Sequence, residues 1–127
     1  MSRSDPLRVG DYLEHIVQAI DRIAEYTAGM DVQAYMADTR TQDAVIRNFE
    51  VIGEASNNVT KHHGAFAARH TTVPWSFAYE MRNALSHGYF KIDHRIVWRT
   101  IQSDLPSLAQ SIRPLLKSSS PSVGPLP

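Results

Sequence analysis

A chain of 127 residues that is 43% hydrophobic and 20% charged fits one folded domain with a real core and excludes a disordered one. Its 13 basic and 13 acidic residues cancel, which excludes the strongly basic character of proteins that grip nucleic acid through many phosphates. Any nucleic-acid role must therefore rest on a local patch, or on a cleft assembled from more than one chain.

The chain has no cysteine, so neither disulfides nor thiolate metal sites can be built, which suits a reducing compartment. Met1 to Gly10 is polar and broken by proline, unlike a secretory signal. No apolar run approaches the roughly 18 residues of a membrane span. The expected location is cytoplasmic, with no membrane association.

The elements read as helices in chain order. Val9, Leu13, Ile16, Val17, Ile20, Ile23 and Ala24 recur at spacings of three and four, the stripe of a first amphipathic helix. Gly29 is placed to end it, and Asp31 to cap a short helix carrying Val32, Tyr35 and Met36. A longer helix is expected from about Thr41 to Thr60, with Val45, Phe49, Ile52, Ser56 and Val59 as its stripe and Gly53 allowing close approach of a neighbour. His62 to Thr72 reads as a polar connection with room for a short helical piece. Thr72-Val73-Pro74 starts the next helix, which runs to about Ser86 or His87, where Gly88 can cap it. Asp93 opens the last long helix, whose stripe is Ile96, Val97, Ile101, Leu105, Leu108, Ile112 and Leu115. Pro106 should kink or restart that helix, because it removes a backbone donor and crowds the preceding turn. The Ser- and Pro-rich residues 118–127 read as a disordered tail, leaving 1–117 as the domain. No strand-like alternation and no internal repeat is present. The expected fold is all-α, an antiparallel bundle of four to five helices.

Chemistry concentrates in Arg82-Asn83-Ala84-Leu85-Ser86-His87-Gly88-Tyr89. A helical wheel started at Phe77 puts Phe77, Ala78, Met81, Ala84 and Leu85 on a core-facing arc. Arg82 and His87 then flank the opposite side, with Asn83 and Ser86 between them. Arginine offers a planar fork of donors suited to phosphate, and histidine moves protons near neutral pH. Such a set, without metal ligands, can cleave RNA through its own 2′-hydroxyl. Five residues separate Arg82 from His87, about 140° around a helix, so one phosphate would meet both groups more naturally across two copies related by a two-fold axis. A structural alternative stays open at this level: the histidine can serve the helix dipole and the arginine a surface carboxylate.

The surrounding residues add a resemblance. Pro74-Trp75, Met81-Arg82-Asn83, His87-Gly88-Tyr89-Phe90, Ile92-Asp93 and Trp98, with the earlier Ile52-Gly53-Glu54-Ala55, closely resemble the HepT family of the HEPN superfamily over roughly residues 8 to 116. The resemblance implies a helical-bundle toxin, a metal-independent endoribonuclease that acts as a homodimer or a higher oligomer. Arg82 and His87 match its catalytic pair, and Asn83 would orient the phosphate or the histidine. It also implies a partner, an MntA-like nucleotidyltransferase antitoxin that adenylylates the motif tyrosine, here Tyr89. For Tyr89 the alternative is a rim aromatic packed beside Phe90 and Trp98. For the whole chain the alternative is a non-catalytic HEPN-type regulatory or binding subunit of a nucleotidyltransferase complex.

Other residues carry less. His62, His63 and His70 lie in a polar connection without ligand spacing, so they read as solvated, and no metal or other cofactor is expected. Trp75 and Trp98 fall in helix-packing patterns. Glu54 either supports the active cleft or makes a helix-surface salt bridge. His15 and His94 read as helix-surface residues.

Overall fold

The computed structural model describes the backbone of residues 7–86 and 92–119, with side chains described for 7–80 and 92–116. Among the described residues all regular structure is helical. The helices are α1 (Val9–Tyr26), α2 (Val32–Met36), α3 (Thr39–His62), α4 (Gly64–Arg69), α5 (Trp75–Ser86), α6 (His94–Arg99) and α7 (Leu105–Ser119). A π-helical turn over Thr100–Asp104 joins α6 to α7, so the last three elements form one continuous rod. Four long units with two short helices inserted between them match the all-α bundle that the periodicity predicts.

The longest helix, α3, is the centre of the bundle and packs on both α1 and α5, while α7 covers α1. Leu13, Ile16 and Ile23 of α1 are fully buried with Val45, Ile52 and Val59 of α3 and Leu108 and Ile112 of α7. Each such side chain stabilises the fold by about 1.5–3 kcal/mol relative to leaving it in water. At the C-terminal end of α3, the His63 ring stands 5.9 Å from that of Tyr12 near the start of α1, so α1 and α3 run antiparallel. Thr60, late in α3, shares a shallow pocket with Trp75 at the start of α5, which makes that pair antiparallel too.

The capping residues stand where the sequence puts them. Asp31 Oδ1 accepts from the Ala34 amide at 2.8 Å and Asp93 Oδ1 from the Arg95 amide at 3.0 Å, each satisfying a donor that helix geometry leaves open. Asp38 does the same for α3, accepting from the Thr41 amide at 3.0 Å and from its hydroxyl at 2.9 Å. These bonds hold its carboxyl below the usual carboxylate range.

Several expectations need correction. Gly29 does not itself end α1, which stops at Tyr26, where Thr27 turns its hydroxyl back onto the Ile23 carbonyl at 2.8 Å. Gly29, at φ +79°, instead makes the turn that leads into α2. Ala24 is exposed, and Ile96 is 52% exposed, because the stripe of the last rod runs through Val97, Ile101 and Leu105 instead. Pro106, by contrast, falls in the first turn of α7, where the α-helix restarts after the π-helical turn, as its missing backbone donor predicts. A second proline, Pro114, is accommodated within α7. That helix reaches Ser119, two residues past the domain boundary expected at 117, and the rest of the tail lies outside the described residues.

Candidate active site

The motif begins on α5, which presents the backbone of Arg82 and Asn83 in its last turn and a half. The observed burial resets the helical phase. Trp75 and Ala78 are buried and Tyr79 is half-buried, whereas Phe77, expected in the core, is 42% exposed. Over the residues whose side chains are described, the face turned to α3 therefore holds Trp75, Ala78 and Tyr79. Of the expected core arc, Ala78 is buried as read and Phe77 is not, while the side chains of Met81, Ala84 and Leu85 lie outside the described residues. Trp75 is buried instead of Phe77 and donates its Nε1–H to the His70 carbonyl at 3.1 Å.

Gly53, read from the sequence as a point of close approach, is buried on α3. The side chains of Arg82 and Asn83, and all of His87, Gly88 and Tyr89, lie outside the described residues. So does the proposed divergence of Arg82 and His87 around one helix.

Beyond the motif the chain returns to the bundle through a well-defined contact. Tyr35 of α2 is fully buried, and its hydroxyl lies 3.1 Å from His94 Nδ1 at the first residue of α6. The two rings meet edge-on at 5.8 Å, and Trp98, one turn later, lies against the same phenol at 5.3 Å. Gln42 of α3 fixes α2 from below, its Nε2 donating to the carbonyls of Tyr35 and Met36 at 2.9 and 3.0 Å. His94 is thus half-buried and bonded, not the helix-surface residue expected. The signal was invisible because its partner is 59 positions away in the chain.

Burial drives the Tyr35 phenol upward, so it stays protonated. Burial is also the largest influence on His94 and lowers its pKa, with Asp43 and Asp93 pulling the other way. The unfolded chain, whose histidine titrates near the ordinary value of about 6.5, therefore binds more protons in mildly acid solution than the folded chain does. The contribution of His94 to stability is complete above that value and is lost as pH falls through it toward the lower folded-state pKa. In urea titrations from pH ~8 down to ~5, wild type should lose more stability than His94→Asn. Parallel pH profiles for the two proteins would contradict this.

Glu54 sits on the exposed side of α3 and lines a groove of about 640 Å³ between α3 and the start of α1. Tyr12, His15, Arg47 and Glu50 share that groove, and Arg47 approaches Glu50 at 3.8 Å. His15 is exposed, as read from the sequence. His63, read as solvated, instead holds its Nε2 2.8 Å from the Leu7 carbonyl, which can only accept, so the ring donates. Leu7 in turn donates its amide to the Tyr12 hydroxyl at 3.1 Å. The groove thus carries side chains of both signs among apolar ones. No helix among the described residues is long and apolar enough to cross a membrane.

Comparison with known proteins bears on the family. The family model described as ribonuclease HepT-like matches residues 16–115, a span that contains the whole Arg82–Tyr89 block. A protein of Thermococcus cleftensis named probable ribonuclease HepT is 41% identical over 107 residues, covering 84% of this chain and 94% of the relative. A protein of Caldanaerobacter subterraneus named putative RNase is 35% identical over 106 residues, covering 84% and 92%. A Methanocaldococcus jannaschii protein named gamma-glutamylcyclotransferase and putative RNase is 34% identical, but the match spans only 46% of its length. No solved structure matches the chain. An all-helical bundle over the described residues and a family match running from α1 into α7 agree with one another, and the chain belongs to the HepT-like ribonuclease family.

Proposed function

We propose that this protein is a metal-independent endoribonuclease, the toxin of a toxin–antitoxin pair, working at a cleft shared by two copies of the chain. The observation that carries the reading is the match to a ribonuclease family across residues 16–115. In this reading His87 acts as general base or acid, taking the proton from the ribose 2′-hydroxyl or giving one to the departing 5′-oxygen. The 2′-oxygen attacks phosphorus, the bond from phosphorus to the 5′-oxygen breaks, and a 2′,3′-cyclic phosphate and a 5′-hydroxyl result. Arg82 stabilises the negative charge that builds on the phosphoryl oxygens in the transition state. Asn83 orients the phosphate or the imidazole, and Glu54 supports the cleft from α3. Two copies double the cations facing the substrate, which reconciles zero net charge with an anionic ligand. An MntA-like nucleotidyltransferase is the antitoxin, and adenylylation of Tyr89 is the off-switch.

The chemistry is tested on single-stranded RNA with chelator present. Cleavage should persist, products should end in cyclic phosphate, and strands with 2′-deoxyribose at the cleaved position should resist. Products with free 3′-hydroxyl ends, or equal cutting of the deoxy strand, would remove the 2′-hydroxyl from the mechanism.

A further inference from the structure

A chain of zero net charge must carry a local patch if it is to hold an anionic strand. The outer face of the rod that α6 begins gathers cations in that way. Arg95 and Arg99 stand four residues apart on α6, one above the other on a single face, and both are exposed. Ile96, 52% exposed, lies beside them, while Val97, Ile101 and Leu105 enter the core from the opposite face. Among the described residues no carboxylate forms an ion pair with either guanidinium, whereas Arg8, Arg47 and Arg113 are matched to Asp11, Glu50 and Asp21. Asp93, the nearest acid before them in the chain, accepts from the Arg95 amide as a cap. None of the three placements helps the fold. Arg95 stands in the first turn of its helix, where the dipole disfavours a cation. Arg99 repels it from one turn further on, and Ile96 leaves apolar surface in water.

We propose that the face formed by Arg95, Ile96 and Arg99 is a binding strip for the sugar–phosphate backbone of single-stranded RNA. The proposal rests on the reading of RNA as the substrate, and it concerns binding, not bond cleavage. Four residues of helix rise about 6 Å, on the scale of one nucleotide step along an extended strand. Each guanidinium can therefore meet one of two successive phosphates, with its planar fork matched to two phosphate oxygens. Ile96 offers its exposed apolar surface to the ribose between them. An RNA strand is favoured over an acidic protein surface because a member of a ribonuclease family must hold RNA by more charges than those that react.

The test uses the full chain and a short fluorescent strand of mixed sequence whose riboses carry 2′-O-methyl groups, so that it is bound and not cut. Affinity is measured by anisotropy from ~50 to ~200 mM salt, where each phosphate neutralised on a single strand contributes about −0.7 to the slope of log affinity against log salt. Arg95→Gln and Arg99→Gln should each reduce the magnitude of that slope by about 0.7, and the double variant by about 1.4. The affinity gap between wild type and the double variant should then narrow about sevenfold across this range. Replacing both arginines by lysine keeps the charge and should keep most of the slope. Arg69→Gln removes the same charge from α4, at the other end of α3 from the elements that hold α6, and should leave the slope unchanged. A double glutamine variant with the wild-type slope overturns the strip while RNA binding stands, and leaves the face to an acidic protein partner. An equal drop in Arg69→Gln reduces the effect to net charge and overturns the strip as well. A wild-type chain that does not bind the strand overturns the strip together with the reading of RNA as the substrate.

Discussion

Replacing either His87 or Arg82 by alanine is expected to abolish growth arrest in cells and to lower RNA cleavage by about a hundredfold or more, with thermal stability unchanged. General acid–base catalysis contributes typically about 10²–10⁴-fold, and loss of a donor to a developing oxyanion about 10²–10³-fold. The two variants also test the shared cleft. If each site takes His87 from one copy and Arg82 from the other, two separately inactive variants should complement when mixed. Random exchange makes half of the dimers mixed, and each mixed dimer has one of its two sites intact. Activity should therefore return to roughly one quarter of wild type. A mixture as inactive as its components would place both groups of a site on one chain, and single variants as toxic as wild type would remove them from the chemistry.

How far such a site can be read without coordinates depends on the range of the interactions that build it. Helix existence was legible because the apolar stripes of α1 and α3 repeat at the helical period. The caps at Asp31 and Asp93 were legible because each acts on an amide two or three residues away. The phase of α5 was not. Phe77 and Trp75 are both large and apolar, and which of them enters the core is decided by α3 and by the His70 carbonyl, neither visible in a local window. The exposure of Phe77 is therefore a correction that α5 alone could not supply. The Tyr35–His94 bond was hidden for the same reason, a contact between residues far apart in sequence. The family was legible only from a combination, since an arginine and a histidine five residues apart occur often, whereas a match over residues 16–115 does not.

Tyr89 carries the second large expected effect. Incubation with a cognate nucleotidyltransferase and ATP should add an adenylyl group to this hydroxyl and reduce RNA cleavage to the level of His87→Ala. The atoms balance simply: the phenol oxygen attacks the α-phosphorus of ATP, pyrophosphate leaves, and the phenol proton goes to solvent or base. The new phosphodiester places a negative charge two residues after His87 in the chain. In a cleft built to hold one RNA phosphate against Arg82, that charge competes for the same guanidinium. Tyr89→Phe separates the two roles of the residue. It should cleave RNA at close to the wild-type rate, gain no mass with the transferase, and remain toxic when the antitoxin is co-expressed. Unchanged mass of the wild-type chain, or full protection of Tyr89→Phe by the antitoxin, would move the off-switch elsewhere. A Tyr89→Phe protein that is inactive without any antitoxin would instead make the hydroxyl part of the cleavage machinery, and modification would then inhibit by removing a needed group more than by filling the phosphate's place.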